Sequence, residues 1–169
     1  KGPITALRIE GVNSSIEDRI NRLVKELGLL NDEINFLDEQ QSKIFWRYTQ
    51  DLKAFQKTTK DIMKIVVPPS ETLNLLNNLK KFSSRYFIEW GGNLIWFEIE
   101  NMSQEILKTM NEVIAKCGGY NILVKLDDGF KSSMDVFKID HIKYKLSEKL
   151  KTSFDPKRIL NPGKMYSGI

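Results

Sequence analysis

Apolar residues recur along this chain with two different periods. They alternate or run together in ITALRIEG (4–11), EINFLD (33–38), IMKIVVP (62–68), RYFIEW (85–90), NLIWFEI (93–99) and YNILVKL (120–126), and each stretch predicts a strand. Between them the spacing widens to three and four. Ile16, Ile20, Leu23, Val24 and Leu27 predict a helix behind a Ser14-x-x-Glu17 capping box. Asp38-x-x-Gln41 opens a second helix with Ile44, Tyr48, Leu52 and Phe55 on one face. Ser70 is expected to cap a third, carrying Leu75, Leu76, Leu79 and Phe82, and Ser103 a fourth. The fourth has Ile106, Met110, Val113, Ile114 and Cys117 as its stripe and stops at Gly118-Gly119. Ile142, Leu146 and Leu150 mark a last helix, after a polar crossing loop over 127–137.

The order β-α-β-β-α-β in the second half, with Gly91-Gly92 turning a hairpin, predicts an α+β fold. Its core is a ferredoxin-like antiparallel sheet with helices packed on one face, followed by a C-terminal helix and a coil tail. Residues 1–139 form the expected cap domain and residues 140–169 the helix and tail. The tail reads FDPKRILNPGKM. Proline fixes its own φ and turns the residue before it away from helix, so Asp155-Pro156 and Asn161-Pro162 exclude regular structure there.

Composition narrows the chemistry. With 169 residues and 41% hydrophobic side chains the chain can bury a core. No apolar run reaches membrane-spanning length and no signal peptide is visible, so a cytoplasmic protein is expected, at most peripheral to the inner membrane through partners. The start at Lys1 suggests the end of a longer polypeptide. Net charge is +4, and the basic excess lies from Lys131 onward, where nine Lys/Arg face four Asp/Glu. A nucleic-acid face on the body is therefore not expected, although a ferredoxin-like nucleic-acid module remains the last alternative. Cys117 and His141 are the single cysteine and histidine, too few for a zinc site or a Cys/His nucleophile pair, and no metal is expected. Trp90, Trp96 and Phe97 read as core, and Glu98 with Glu100 as a solvent-facing strand edge.

The ending FDPKRILNPGKM after an amphipathic helix resembles the C-terminal signature of the FAD-linked oxidases of the vanillyl-alcohol oxidase type. Further stretches, TALRIEG, FW at 45–46, VVPPS at 66–70, EWGGNLIW at 89–96 and AKCGGYNILVK at 115–125, resemble the C-terminal domain of the glycolate oxidase FAD-binding E subunit. The resemblance implies FAD, held mainly by an N-terminal FAD-binding domain that this sequence does not contain. It implies that Asn161, Pro162, Gly163 and Lys164 face the flavin. It also implies partners, a catalytic flavoprotein subunit and an iron–sulfur subunit, and a small 2-hydroxy acid as substrate of the complex.

Departures from the catalytic relatives imply an accessory role. Their metal-binding histidines fall on Ile88 and Ile95, and their Gly-Glu-His motif on Leu123, Val124 and Lys125. Their Trp-x-x-Arg keeps Trp46 but has Thr49, and Arg47 points about 160° from that position on a helix. No catalytic residue is assigned. The alternative is an independently active FAD-dependent 2-hydroxy acid oxidase whose substrate site uses Trp46, Arg47, Asn93 or Lys125.

Overall fold

The computed structural model describes residues 3–28, 34–83, 85–126, 135–137, 141–164 and 166. The chain divides into two compact units, Lys1–Lys57 and Thr58–Ile169.

The first unit contains two helices, α1 (Asn13–Glu26) and α2 (Glu39–Gln50). The capping box at Asp38 forms as expected: its carboxylate accepts from the Gln41 backbone N–H at 2.8 Å, and the Gln41 amide accepts from the Asp38 N–H at 3.1 Å. The box at Ser14 does not form. Helix α1 starts two residues past Gly11 with Val12 as its cap residue, so Ser14 already lies inside the helix, where its hydroxyl cannot cap. The strands expected at 4–11 and 33–38 are also absent from the described residues. Residues 3–10 and 34–38 join no ladder, and a period of two without a partner strand leaves backbone groups that no sheet satisfies. Of the expected stripe, Leu52 and Phe55 are covered but lie past the end of α2, and within the helix other positions are the less exposed ones. Phe45, Trp46 and Thr49 are half-buried, whereas Ile44 and Tyr48 are 70% and 51% exposed. Apolar residues lie on two sides of this helix, so spacing alone selects neither.

The second unit is built on β1 (Asp61–Val66), α3 (Thr72–Leu79), β2 (Tyr86–Glu89), β3 (Leu94–Ile99), α4 (Gln104–Lys116) and β4 (Tyr120–Lys125). The strands form one sheet in the order β2-β3-β1-β4, and all neighbours run antiparallel. This is the ferredoxin-like arrangement expected from the sequence. Register places Met63 opposite Phe97 and Leu123, and Ile65 opposite Ile95. These side chains join Leu75, Leu79, Met110 and Ile114 in one core, so α3 and α4 cover the same face. Ser103 caps α4 as expected, accepting from the Ile106 N–H at 3.1 Å. Ser70 caps nothing, because a 3-10 turn at Pro69–Glu71 precedes α3. Gly119 is required by a close approach: a Cβ there would lie 2.6 Å from the Val66 carbonyl. Cys117 is buried in the core, where burial and then Glu71 push its thiol pKa up, keeping it protonated.

Most of the crossing loop expected at 127–137 lies outside the described residues. At its end, Phe137 bridges Ile122 and the Val136 carbonyl accepts from the Leu123 N–H. Helix α5 (His141–Phe154) follows.

Candidate functional site

The tail is a pair of proline turns held by one carboxylate. Helix α5 ends at Phe154, and the Asp155 N–H still donates to the Lys151 carbonyl. Pro156 then occupies the second position of a turn closed by the Arg158 N–H on the Asp155 carbonyl at 2.9 Å. The Asp155 side chain, 6% exposed, accepts from the N–H groups of Ile159 at 3.1 Å and Leu160 at 2.9 Å. Lys151 pairs with the same carboxylate at 2.8 Å and also donates to the Leu160 carbonyl. Lys151 is the main cause holding the Asp155 carboxyl below its ordinary range, and the two backbone donors add to it against the opposing effect of burial. Neither Lys151 nor Asp155 was an expected site residue. Their i, i+4 spacing at a helix end, with proline next, is the signal that marks such a clasp.

The second turn is Asn161-Pro162-Gly163-Lys164, closed by the Lys164 N–H on the Asn161 carbonyl at 3.3 Å. Gly163 has φ 66°, the left-handed value that the third position of a type II turn requires. Asn161 itself is left-handed at φ 48°, a conformation asparagine tolerates better than most residues. All four residues are exposed. Among the described residues the Asn161 amide and the Lys164 ammonium make no hydrogen bond or ion pair, so both offer their polar groups outward. A flavin ring edge, with its alternating donors and acceptors, is a group such an amide and cation can meet.

Helix α5 is turned in an unusual sense. Tyr144, Ser147 and Lys151 are its half-buried positions, with Tyr144 and Phe137 packing on the buried Tyr166 at 6.0 Å between ring centroids. The apolar stripe lies outward: Ile142 is 80% exposed, Leu146 58%, Leu150 50% and Phe154 81%. Ile159 and Leu160 of the tail are exposed as well.

The remaining expected site residues are divided between the two units. Trp46 and Arg47 belong to the first unit, where Trp46 meets Phe45 edge-on at 5.4 Å and Arg47 is exposed. In the second unit Asn93 donates to the Val67 carbonyl at 2.7 Å, which ties the hairpin to the end of β1. Lys125 pairs across from Ile62 at the other end of β1 and donates to the Thr58 carbonyl. Four residues of β1 separate these ends, roughly 13–17 Å of strand. Ile88 and Ile95 form a cross-strand pair on the sheet face that α3 and α4 cover, and Ile95 is fully buried. Among the described residues no three His, Cys, Asp or Glu side chains cluster as metal ligands would.

Three expectations about strand residues need correction. Trp90 is 67% exposed rather than core, because the hairpin turn projects it beyond the strands, and Trp96 is half-buried on the face away from the helices. Glu98 is not a solvent-facing residue. It is 3% exposed and paired with Arg85 at 2.5 Å; burial pushes its carboxyl up, but Arg85, Thr58 and Lys60 together hold it below 4.5. Glu100 lies beyond β3 and pairs with Lys60.

Residues 137–165 match the family model described as FAD linked oxidases, C-terminal domain. The matched segment is the last helix with its two proline turns, and it supports an FAD-linked oxidase C-terminal domain in this part of the chain. No curated protein and no solved structure matches the chain. Among the described residues no helix is long and apolar enough to cross a membrane.

Proposed function

We propose that this chain is the C-terminal, cap-type part of an FAD-linked oxidoreductase of the glycolate oxidase kind. It works as an accessory flavin subunit beside a catalytic flavoprotein subunit and an iron–sulfur subunit in the oxidation of a small 2-hydroxy acid. The family match over 137–165 carries the reading. The geometry of that segment supports it: the matched turn presents unpaired polar groups, and the stripe beside it presents apolar side chains that a neighbouring FAD-binding domain would cover. The bound flavin supplies the electron-accepting chemistry. Asn161 would orient the ring edge by hydrogen bonding, Lys164 would favour negative charge on it, and Pro162 with Gly163 would hold the turn in shape.

The test uses the chain joined to, or co-expressed with, the FAD-binding domain of an FAD-linked oxidase. FAD content and absorption spectrum are read for the native protein and for Asn161→Ala and Gly163→Val. Both variants are expected to lose flavin or shift its spectrum, with Gly163→Val the worse because valine is strained at φ 66°. Unchanged flavin content and spectrum in both would overturn the reading, as would tight stoichiometric FAD binding by residues 1–169 alone. Anaerobic mixing with glycolate addresses the accessory role: flavin reduction is expected only when the catalytic subunit is present.

A further inference from the structure

The sheet face opposite α3 and α4 carries a lysine whose charge no acidic group balances. Lys64 sits mid-strand in the central strand β1, opposite Trp96 on β3 and Ile122 on β4. It is half-buried, and among the described residues it makes neither an ion pair nor a hydrogen bond. Lys60, Arg85 and Lys151 of this unit, by contrast, pair with Glu100, Glu98 and Asp155. Two indole rings flank the Lys64 ammonium instead, with centroids 5.4 Å away for Trp90 and 5.6 Å for Trp96. Ring faces attract the charge but fill none of the three N–H donors.

The two rings are held differently. Trp96 is anchored, its Nε1–H donating to Glu89 at 2.7 Å and its ring stacking on Phe87 at 6.3 Å. Trp90 is presented. Its backbone is left-handed at φ 55°, which a bulky side chain adopts only where its surroundings impose it, and its ring is 67% exposed. The Gly91-Gly92 turn and Asn93, bonded to the end of β1, hold it there.

We propose that Lys64, Trp90 and Trp96 form a binding site for an aromatic monocarboxylate. The carboxylate accepts from the Lys64 ammonium and the ring stacks on the open face of Trp90. One ammonium matches the single negative charge of a monocarboxylate and leaves the second charge of a phosphate unmatched. An aromatic ring offers a flat apolar face that can stack on the indole in offset or edge-to-face geometry.

This site is independent of the flavin reading, and its test contains no flavin. The uniformly 15N-labelled 169-residue chain is titrated with benzoate, with acetate as the ringless probe, benzyl alcohol as the uncharged one, and inorganic phosphate. Benzoate is expected to shift the indole N–H signals of Trp90 and Trp96 saturably while the amides of Leu75 and Ile114, in the covered core, stay in place. Lys64→Met, Lys64→Gln and Trp90→Ala are each expected to weaken benzoate about tenfold, the equivalent of 1.4 kcal/mol, with unchanged circular dichroism. Trp90 is exposed, so its removal leaves the fold intact. A missing saturable shift, native affinity in the Lys64 variants, or acetate or phosphate binding as tightly as benzoate would each overturn the proposal.

Discussion

Two parts of the second unit treat their apolar residues in opposite ways. Between the sheet and helices α3 and α4 they are hidden: Met63, Ile65, Phe97, Leu75 and Met110 are fully buried, and at the margin Glu98 is paired with Arg85. Helix α5 shows them, turning Tyr144 and Lys151 inward and Ile142, Leu146, Leu150 and Phe154 outward. The first part is complete in itself, since burial of its core supplies the main favourable contribution to folding. The second turns its polar side to self-fastening, through Lys151 and Asp155, and leaves its apolar side exposed. The difference separates what holds this fold from what the fold holds out.

Phenylalanine substitutions test the contrast most sharply. Phe97→Ala empties a fully buried site and is expected to cost about 3–5 kcal/mol in urea denaturation. Phe154→Ala, at 81% exposure, is expected to change stability by less than about 0.5 kcal/mol. Comparable losses in the two variants would end the comparison.

The Arg85–Glu98 pair gives the body a pH signature. Because the folded carboxyl titrates below its ordinary value of 4.5, the pair's contribution is complete above that value and is lost as pH falls through the lower folded value. Glu98→Gln is expected to cost about 1 kcal/mol at neutral pH, since the Arg85 end is 46% exposed and screened by water. The variant should lose part of the native protein's decline in melting temperature on acidification; an identical decline would show that this pair does not set it.

Asp155→Ala addresses the tail alone. Amide exchange at Ile159 and Leu160 is expected to accelerate by about an order of magnitude while the melting temperature of the body stays where it was, because a clasp at the chain end opens without the core. A lower melting temperature would make the tail part of the body.

The smallest effect is expected from Leu150→Ser. At 50% exposure it should leave denaturation midpoints within about 0.5 kcal/mol, yet weaken association with a co-expressed FAD-binding domain. Retained association would remove the stripe from any docking role.

Local signals in the sequence determined a large part of this protein. The β-α-β-β-α-β order, the caps at Asp38 and Ser103, the Gly91-Gly92 turn and the exclusion of helix by Pro156 and Pro162 all depend on neighbours a few residues away. The exposed Asn161–Lys164 turn was legible for the same reason. Only the tertiary structure decided that ITALRIEG and residues 34–38 find no partner strand, and that α2 half-buries Phe45 and Trp46 while Ile44 and Tyr48 stay exposed. It also decided that Glu98 is sealed against Arg85 and that Trp90 stands out beside Lys64. Periodicity states which residues share a face. What covers that face depends on residues far apart in the chain, such as Arg85 for Glu98, Trp90 and Trp96 for Lys64, and Tyr166 for Tyr144, and no local window contains them.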